Sequence, residues 1–154
     1  MRYLLISFLS LFLSACGSSS SDVSSNPLAG TWLSNCYELT DENGLFIAYK
    51  INNLVIAGGE YTSNTSDFTD VNCTNPAGGA GTQNSTYTLG GQVTASDGVQ
   101  AQCITLISEY LFYGQPVTIT YEAIFRITGV ELNFGGFVSG QTPSLDYSVT
   151  YIKQ

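Results

Sequence analysis

The sequence predicts an all-β fold, an antiparallel up-and-down barrel of about eight strands. Ten tyrosines and eight phenylalanines accompany a charged fraction of only 10%, and such a composition favours strands over helices. Sixteen glycines interrupt the chain at short intervals. Apolar residues never keep the period of a helix over about ten residues. A two-sheet β-sandwich is the alternative fold.

In the first half of the folded region, apolar strand patterns alternate with turn signals. Asn43-Gly44 is a strong hairpin dipeptide, and Gly58-Gly59 also turns the chain. Pro76 and Gly78-Gly79 predict a loop rather than a strand. The predicted elements are strands over residues 30–39, 45–56 and 60–70, a loop over 72–82, and a strand over 83–89 that Gly90-Gly91 closes.

The second half carries the clearest alternation, in residues 117–128, where Tyr121, Ala123, Phe125 and Ile127 share one face. Further strands are predicted over 99–107, 130–134 and 146–152, whereas 109–115 fits a short helix or an irregular turn. Such a meander exposes two edges unless it closes on itself. Eight strands that close leave an interior that side chains fill or that holds one small ligand.

The first residues have the pattern of a cleaved leader. Arg2 precedes an apolar run over residues 4–13, which is too short to span a bilayer. The run ends in Leu13-Ser14-Ala15-Cys16, which resembles the lipobox of bacterial lipoproteins. The resemblance implies cleavage after Ala15 and attachment of fatty acyl chains, such as palmitate, to Cys16.

This resemblance predicts a protein that its acyl chains hold at a membrane of the bacterial envelope. Gly17 follows the cysteine where an aspartate would resemble the inner-membrane retention signal, so we expect the outer membrane. Residues 1–15 are then the signal peptide, and residues 16–27 the lipidated cysteine and a flexible serine-rich tether. Residues 28–154 form a single β-barrel domain.

Composition excludes several classes of function. A net charge of −8 argues against binding nucleic acid or an anionic lipid surface through charge. The chain has no histidine, which excludes Ser-His-Asp and Cys-His catalysis and the common zinc sites. Glu109 and Glu122 are the least implausible acid–base pair, but we expect both on solvated faces, and Asp67, Asp70 and Asn72 lack the spacing of a calcium loop. We predict no catalytic, metal or cofactor site and no enzymatic activity.

The start of the folded region adds a second resemblance. "LAGTWLSNC", residues 28–36, is similar to the G-x-W opening of lipocalin-like barrels, with Gly30 and Trp32 at the fixed positions. The "STYTLGG" strand and the ending "LDYSVTYIKQ" are similar to small lipocalin-like bacterial lipoproteins. The resemblance implies that Trp32 packs across the closed end of the barrel. A lipocalin-like arginine that covers this tryptophan has no clear counterpart, since Lys153 is the only late basic residue.

Three cysteines remain besides Cys16. An exported protein reaches an oxidising compartment, where one disulfide can persist. We predict Cys36–Cys73, which would pin the glycine-rich loop to the first strand, with Cys36–Cys103 as the alternative. Cys103 is in phase with Val99 and Ala101 and is expected to be a small buried hydrophobe, left over as a thiol.

Two functions fit these observations. A barrel interior lined by Trp32, Phe125, Leu132 and Tyr147 could hold a small apolar ligand. Alternatively, the barrel is packed, and the protein is an envelope structural or interaction module that uses its outer surface. The sequence indicates no particular protein partner.

Overall fold

The protein is described by a computed structural model over residues 26–112, 115–137 and 141–154. Every regular element in these ranges is a β-strand, as the composition predicts. The nine strands of the described residues are β1 (Gly30–Ser34), β2 (Tyr37–Thr40), β3 (Phe46–Ala57), β4 (Glu60–Phe68), β5 (Pro76–Thr94), β6 (Gln100–Phe112), β7 (Gln115–Thr128), β8 (Glu131–Gly136) and β9 (Ser144–Lys153).

The strands form one antiparallel sheet that closes into a ring. Each strand from β3 to β9 pairs with its neighbour in sequence, and β1 pairs with both β3 and β9. Because β2 continues the path of β1 along β3, the ring is eight strands around. The predicted eight-stranded up-and-down architecture is therefore confirmed, and the alternative of two stacked sheets is wrong.

Asn35 divides the first predicted strand, residues 30–39, into β1 and β2. Its backbone N–H donates to the Thr150 carbonyl at 2.9 Å, and its Oδ1 accepts the Thr150 N–H at 2.8 Å. Its Nδ2 donates to the Ser148 carbonyl at 3.0 Å. The side-chain amide thus takes the place of a peptide group in the ladder between β1 and β9, and the strand is interrupted at Asn35 before β2 resumes the pairing with β3.

The prediction of a loop over residues 72–82 is wrong beyond residue 75. β5 begins at Pro76, where proline is tolerated as the first residue of a strand, and pairs with β4 from there. Gly79 is suited to this strand because a Cβ there would lie 2.3 Å from Asp67 Oδ2. Gly90-Gly91 also fails to end the strand, since the chain passes them in a register shift and continues to Thr94.

The region that the sequence left open, residues 109–115, belongs to a long hairpin rather than to a helix. β6 extends to Phe112, and β7 starts at Gln115, directly opposite it. The strand predicted over residues 117–128 therefore begins two residues earlier, at Gln115. β5, β6 and β7 are the longest strands, and together they form one tall wall of the ring.

One end of the ring is packed by the main hydrophobic core. Trp32 is 0% exposed, and its Nε1 donates to the Leu28 carbonyl at 2.8 Å. Phe125 and Leu132 lie in the same core, which places these three residues inside, as the sequence indicates. Lys153 faces Trp32 across the β1–β9 pair, with its Nζ 5.1 Å from the centre of the indole ring. The late lysine thus supplies the cation over the tryptophan.

A second, smaller cluster lies on the opposite face of the sheet, because its members alternate with the core residues of β6 and β7. Cys103 in β6 and Ile124 in β7 are paired neighbours in this cluster. Cys103 is 1% exposed, as expected from its phase with Ala101. The expectation that it is left over as a thiol is wrong, since no cysteine among the described residues is free.

The predicted Cys36–Cys73 disulfide is present, and the alternative Cys36–Cys103 is not formed. The bridge joins the start of β2 to the loop before β5 across 37 positions of sequence. Asp70 organises the same loop, since its Oδ1 accepts the backbone N–H groups of Thr74 at 3.0 Å and Asn75 at 2.7 Å.

Replacing Cys36 and Cys73 together by serine should lower the free energy of unfolding by about 2–4 kcal/mol, because the unfolded chain regains the freedom of a long closed loop. Urea denaturation followed by tryptophan fluorescence measures the loss. Val71→Ser, an exposed change in the same loop, is the control and should stay within about 0.5 kcal/mol of wild type. An equally small loss in the double variant would contradict the prediction.

The predicted leader, Cys16 and residues 17–25 of the tether lie outside the described residues, so lipid attachment stays a prediction. Among the described residues, no helix is long and apolar enough to cross a membrane.

Candidate functional site

The end of the ring opposite Trp32 contains a cavity of about 340 Å³. Six strands contribute residues to its lining, and the largest of the described lining side chains are aromatic. These are Tyr37, Tyr61, Tyr121, Phe134 and Tyr151. Leu106 and Val149 add aliphatic surface, and Asp146 is the only charged side chain among the described residues that line it. The cavity is therefore an aromatic chamber with one carboxyl group.

The alternation of the strands brings these residues together. Tyr61 in β4 is opposite Ile56 of the core, and Leu106 in β6 is opposite Tyr121 in β7. Tyr121 lies two residues from buried Ala123, so it has the phase of the interior. It is nevertheless 56% exposed, because the ring is open at this level. The interior face is thus solid at the Trp32 end and hollow at the other.

Phe134 forms the centre of the aromatic cluster. Its ring meets Tyr151 at 5.8 Å with an interplanar angle of 90°, and Tyr61 at 6.4 Å with an angle of 82°. Edge-to-face contacts of this kind are favourable because the positive edge of one ring meets the negative face of another. The Phe134 ring and the two tyrosine rings therefore form walls that face in at least two directions.

Asn52 holds two of the phenol groups. Its Nδ2 donates to Tyr37 Oη at 2.9 Å and to Tyr151 Oη at 3.2 Å. Its own backbone N–H donates to Ser34 Oγ at 2.8 Å, which ties β3 to β1. Both phenol oxygens act as acceptors in this network, so their O–H hydrogens can donate to another group.

Burial raises the pKa of the Tyr61 phenol strongly and raises the pKa values of Tyr37 and Tyr151 as well. The charged phenolate would be poorly solvated between the rings, so the neutral form is favoured. The negative charge of Asp146 also raises the pKa of Tyr151. All three groups are therefore neutral hydrogen-bond donors at ordinary pH.

The raised pKa values predict that the protein loses stability in alkali. Below pH 10, the ordinary pKa of tyrosine, these phenols are protonated in both folded and unfolded chains. Above it, the unfolded chain releases the protons while the folded chain retains them, so the free energy of unfolding falls as pH rises. Urea denaturation at increasing pH measures this slope. Tyr61→Phe should flatten the slope, and a Tyr61→Phe slope equal to wild type would contradict the assignment.

A second cleft of about 440 Å³ adjoins the first and shares Tyr61, Leu106 and Tyr121 with it. Its remaining walls are more polar and include Ser63, Thr65, Gln83 and Ser108. Further along the same inner face, Lys50 Nζ and Asp67 Oδ1 form an ion pair at 3.0 Å. The interior thus changes from aromatic near Phe134 to polar near the β4–β5 wall.

Tyr147, predicted to line the interior, is not there. It is 52% exposed, and its hydroxyl donates to Asp97 on the outside of the ring. The cause is a register shift between β8 and β9, where several residues of β9 lie opposite Phe134 alone. Such a bulge resets the alternation of side chains, so counting back from Tyr151 by twos fails at Tyr147.

The other predicted interior residues are placed in the core but not at the cavity. Trp32, Phe125 and Leu132 fill the packed end and are absent from the described lining of the chamber. The acidic residues that we considered for other chemistry are separated: Asp67 pairs with Lys50, and Asp70 caps its own loop. The described residues hold no group of three His, Cys, Asp or Glu side chains that could bind a metal ion.

The residues that line the chamber are not among the four interior residues predicted from the sequence. Tyr121 shares the predicted face of Phe125, and Tyr37 and Tyr61 alternate with polar residues, so the phase of all three is a signal that could have assigned them to the interior. Comparisons of this chain with protein-family models, with curated proteins and with solved structures find no match.

Proposed function

We propose that this protein is a non-enzymatic lipoprotein of the bacterial envelope that binds a small, largely apolar molecule in the aromatic chamber. The observation that carries the proposal is the chamber itself. Its volume of about 340 Å³ lies within the range of small-molecule sites, roughly 300–1,000 Å³. A mostly apolar wall with a few placed polar groups is the usual composition of such sites.

The exposure of inward-facing side chains supports the same proposal. Tyr121 and Ile119 have the phase of the interior, yet both are exposed at the open end. Apolar surface left in contact with water costs free energy, roughly 25 cal/mol for each Å². A ligand that covered these side chains would remove that surface from water. A ring that served only as a packed scaffold would gain by filling this space with larger side chains.

Titration of the purified full-length protein with N-phenyl-1-naphthylamine, an uncharged dye that brightens in apolar surroundings, tests the proposal. We expect saturable binding. Val149→Trp places a large ring in the chamber and should weaken binding about tenfold or more, whereas Val130→Trp, the same change at an exposed turn, should leave it unchanged. Absence of saturable binding, or equal loss in both variants, would overturn the proposal. Native mass spectrometry of the same preparation would show a retained ligand as an added mass.

The β2–β3 hairpin favours the alternative, an interaction module. Leu45, Phe46 and Ile47 are consecutive and exposed, and the Phe46 ring contacts the Tyr49 ring in a tilted arrangement with 4.9 Å between the ring centres. Such a tip could bury itself against another protein or a second copy. Sedimentation velocity at increasing concentration tests self-association, which Phe46→Asp should abolish. A monomer at every concentration would remove the support for a second copy as the partner.

The lipid anchor is tested separately, since it concerns residues that precede the folded domain. In a bacterial host fed an alkyne analogue of palmitate, the wild-type chain should be labelled and Cys16→Ser should not. Gly17→Asp should move the protein from the outer-membrane to the inner-membrane fraction. Label on Cys16→Ser, or an unlabelled wild type, would refute lipid attachment at this position.

A further inference from the structure

The chamber combines several aromatic rings with a single carboxylate, and this combination indicates the chemical class of its ligand. The ring plane of Phe134 lies at near right angles to the planes of Tyr61 and of Tyr151. Ring faces carry partial negative charge, so a cation enclosed by several of them is attracted to each. Walls that face in different directions suit a compact, roughly spherical cation.

Asp146 provides the complementary charge. Its Oδ1 accepts the Ser148 backbone N–H at 2.8 Å and the Ser148 hydroxyl at 2.6 Å, which fixes the carboxyl group at the wall. In the part of the chain that the structure describes, Oδ2 has no hydrogen-bond donor and no cation beside it. No basic side chain lines the chamber among the described residues, because Lys50 lies further along the face and is paired with Asp67.

The remaining groups distinguish between kinds of cation. A primary ammonium group needs three hydrogen-bond acceptors, whereas the chamber offers mainly ring surface. A quaternary ammonium group has no N–H, and its methyl groups pack against rings without loss of hydrogen bonds. The Tyr37 and Tyr151 hydroxyls keep their hydrogens, since each accepts from Asn52, and can donate to an oxygen on the same molecule. The net charge of −8 disfavours anions.

We propose that the chamber binds a small organic cation with a methylated ammonium group and a nearby oxygen, held between the tyrosine rings and Asp146. This inference rests on the proposed ligand-binding function and specifies its ligand.

Choline and 3,3-dimethylbutan-1-ol form a matched pair of probes, since they have the same shape and hydroxyl and differ in one charged nitrogen. Calorimetric and NMR titration of the full-length protein should show that choline binds about tenfold more tightly. Asp146→Asn should weaken choline binding about fivefold and leave the alcohol unaffected. Glu122→Gln removes the same charge from an exposed strand position and should change neither.

Equal affinity for the two probes, or an Asp146→Asn variant that binds choline as wild type does, would overturn the inference. If Asp146→Asn does not fold, the wild type decides: choline binding should weaken between about 20 and 300 mM NaCl, and binding of the alcohol should not. Failure of both probes while the naphthylamine dye still binds would remove the cationic ligand and keep the proposed function. Failure of all three compounds would remove the proposed function as well.

Discussion

Gly135→Ala should unfold the protein or lower its free energy of unfolding by about 3 kcal/mol or more. A Cβ at this position would lie 2.0 Å from the Ser144 carbonyl oxygen and 2.7 Å from the Leu145 Cα. Both are backbone atoms of β9, which pairs with Gly135 across the β8–β9 ladder. Because no side chain can rotate away, the two strands would have to separate. The cost therefore arises from contact, not from an unusual backbone dihedral, since Gly135 is not among the residues with positive φ.

Urea denaturation of Gly135→Ala and of Gly81→Ala measures this effect. Gly81 is also in a strand and has a negative φ, but a Cβ there would have nothing within 4 Å. Its replacement should change stability by no more than about 0.5 kcal/mol. Equal stability of the two variants would show that β8 and β9 are not held as close as 2.0 Å implies. Because Gly135 also lines the chamber, a folded Gly135→Ala variant should lose dye binding in parallel.

The difference between these two glycines shows why local sequence rules predict only some of the elements of this fold. Glycine and proline predicted a loop over residues 72–82, although most of that segment is paired strand. The rule treats both residues as turn formers, whereas here Pro76 starts a strand and Gly79 makes room for the Asp67 side chain. Over 117–128, apolar and polar residues alternate in the sequence, the neighbouring strands pair along the whole segment, and the predicted strand and the structure agree.

The candidate site was less predictable than the fold for a related reason. Alternation tells which face of a strand is inside, and it placed Phe125 and Leu132 correctly, whereas the position of Trp32 was implied by the G-x-W resemblance. It does not tell which end of the ring is filled, because that depends on the stagger of all eight strands and on Leu28 packing into one end. It also failed at Tyr147, because the bulge in β9 changes the phase within a single strand.

The cysteines illustrate the opposite case. The Cys36–Cys73 bridge could be predicted because it needs only a first strand and a loop that returns to it, and both have strong local signals. The burial of Cys103 followed from its phase, but the cluster around it on the outer face did not. Residues from several strands form that cluster, so no pattern within a single strand predicts it.

Trp32→Ala should lower the free energy of unfolding by about 3–5 kcal/mol, the range for deletion of a fully buried large aromatic side chain. The change leaves a cavity at the packed end and removes the Nε1 donor from the buried Leu28 carbonyl, to which it now donates at 2.8 Å. Leu28 precedes β1 and is itself fully buried, so we expect residues 26–29 to detach from the end of the ring. Hydrogen exchange should show this as faster exchange at Ala29, whose N–H donates to the Asn26 carbonyl.

Two further variants separate the contributions of Trp32. Trp32→Phe keeps a ring but not the donor, and it should recover roughly half of the loss in Trp32→Ala. Lys153→Met removes only the cation that lies 5.1 Å from the indole centre, and it should cost about 0.5–1 kcal/mol. The denaturation midpoints of the three variants rank the contributions of the indole ring, its Nε1 donor and the Lys153 cation to stability. A loss in Lys153→Met as large as that in Trp32→Ala would mean that the lysine, rather than the buried ring, holds β9 against β1. Because the chamber is built from residues at the other end of the ring, a folded Trp32→Phe protein should bind the dye as wild type does.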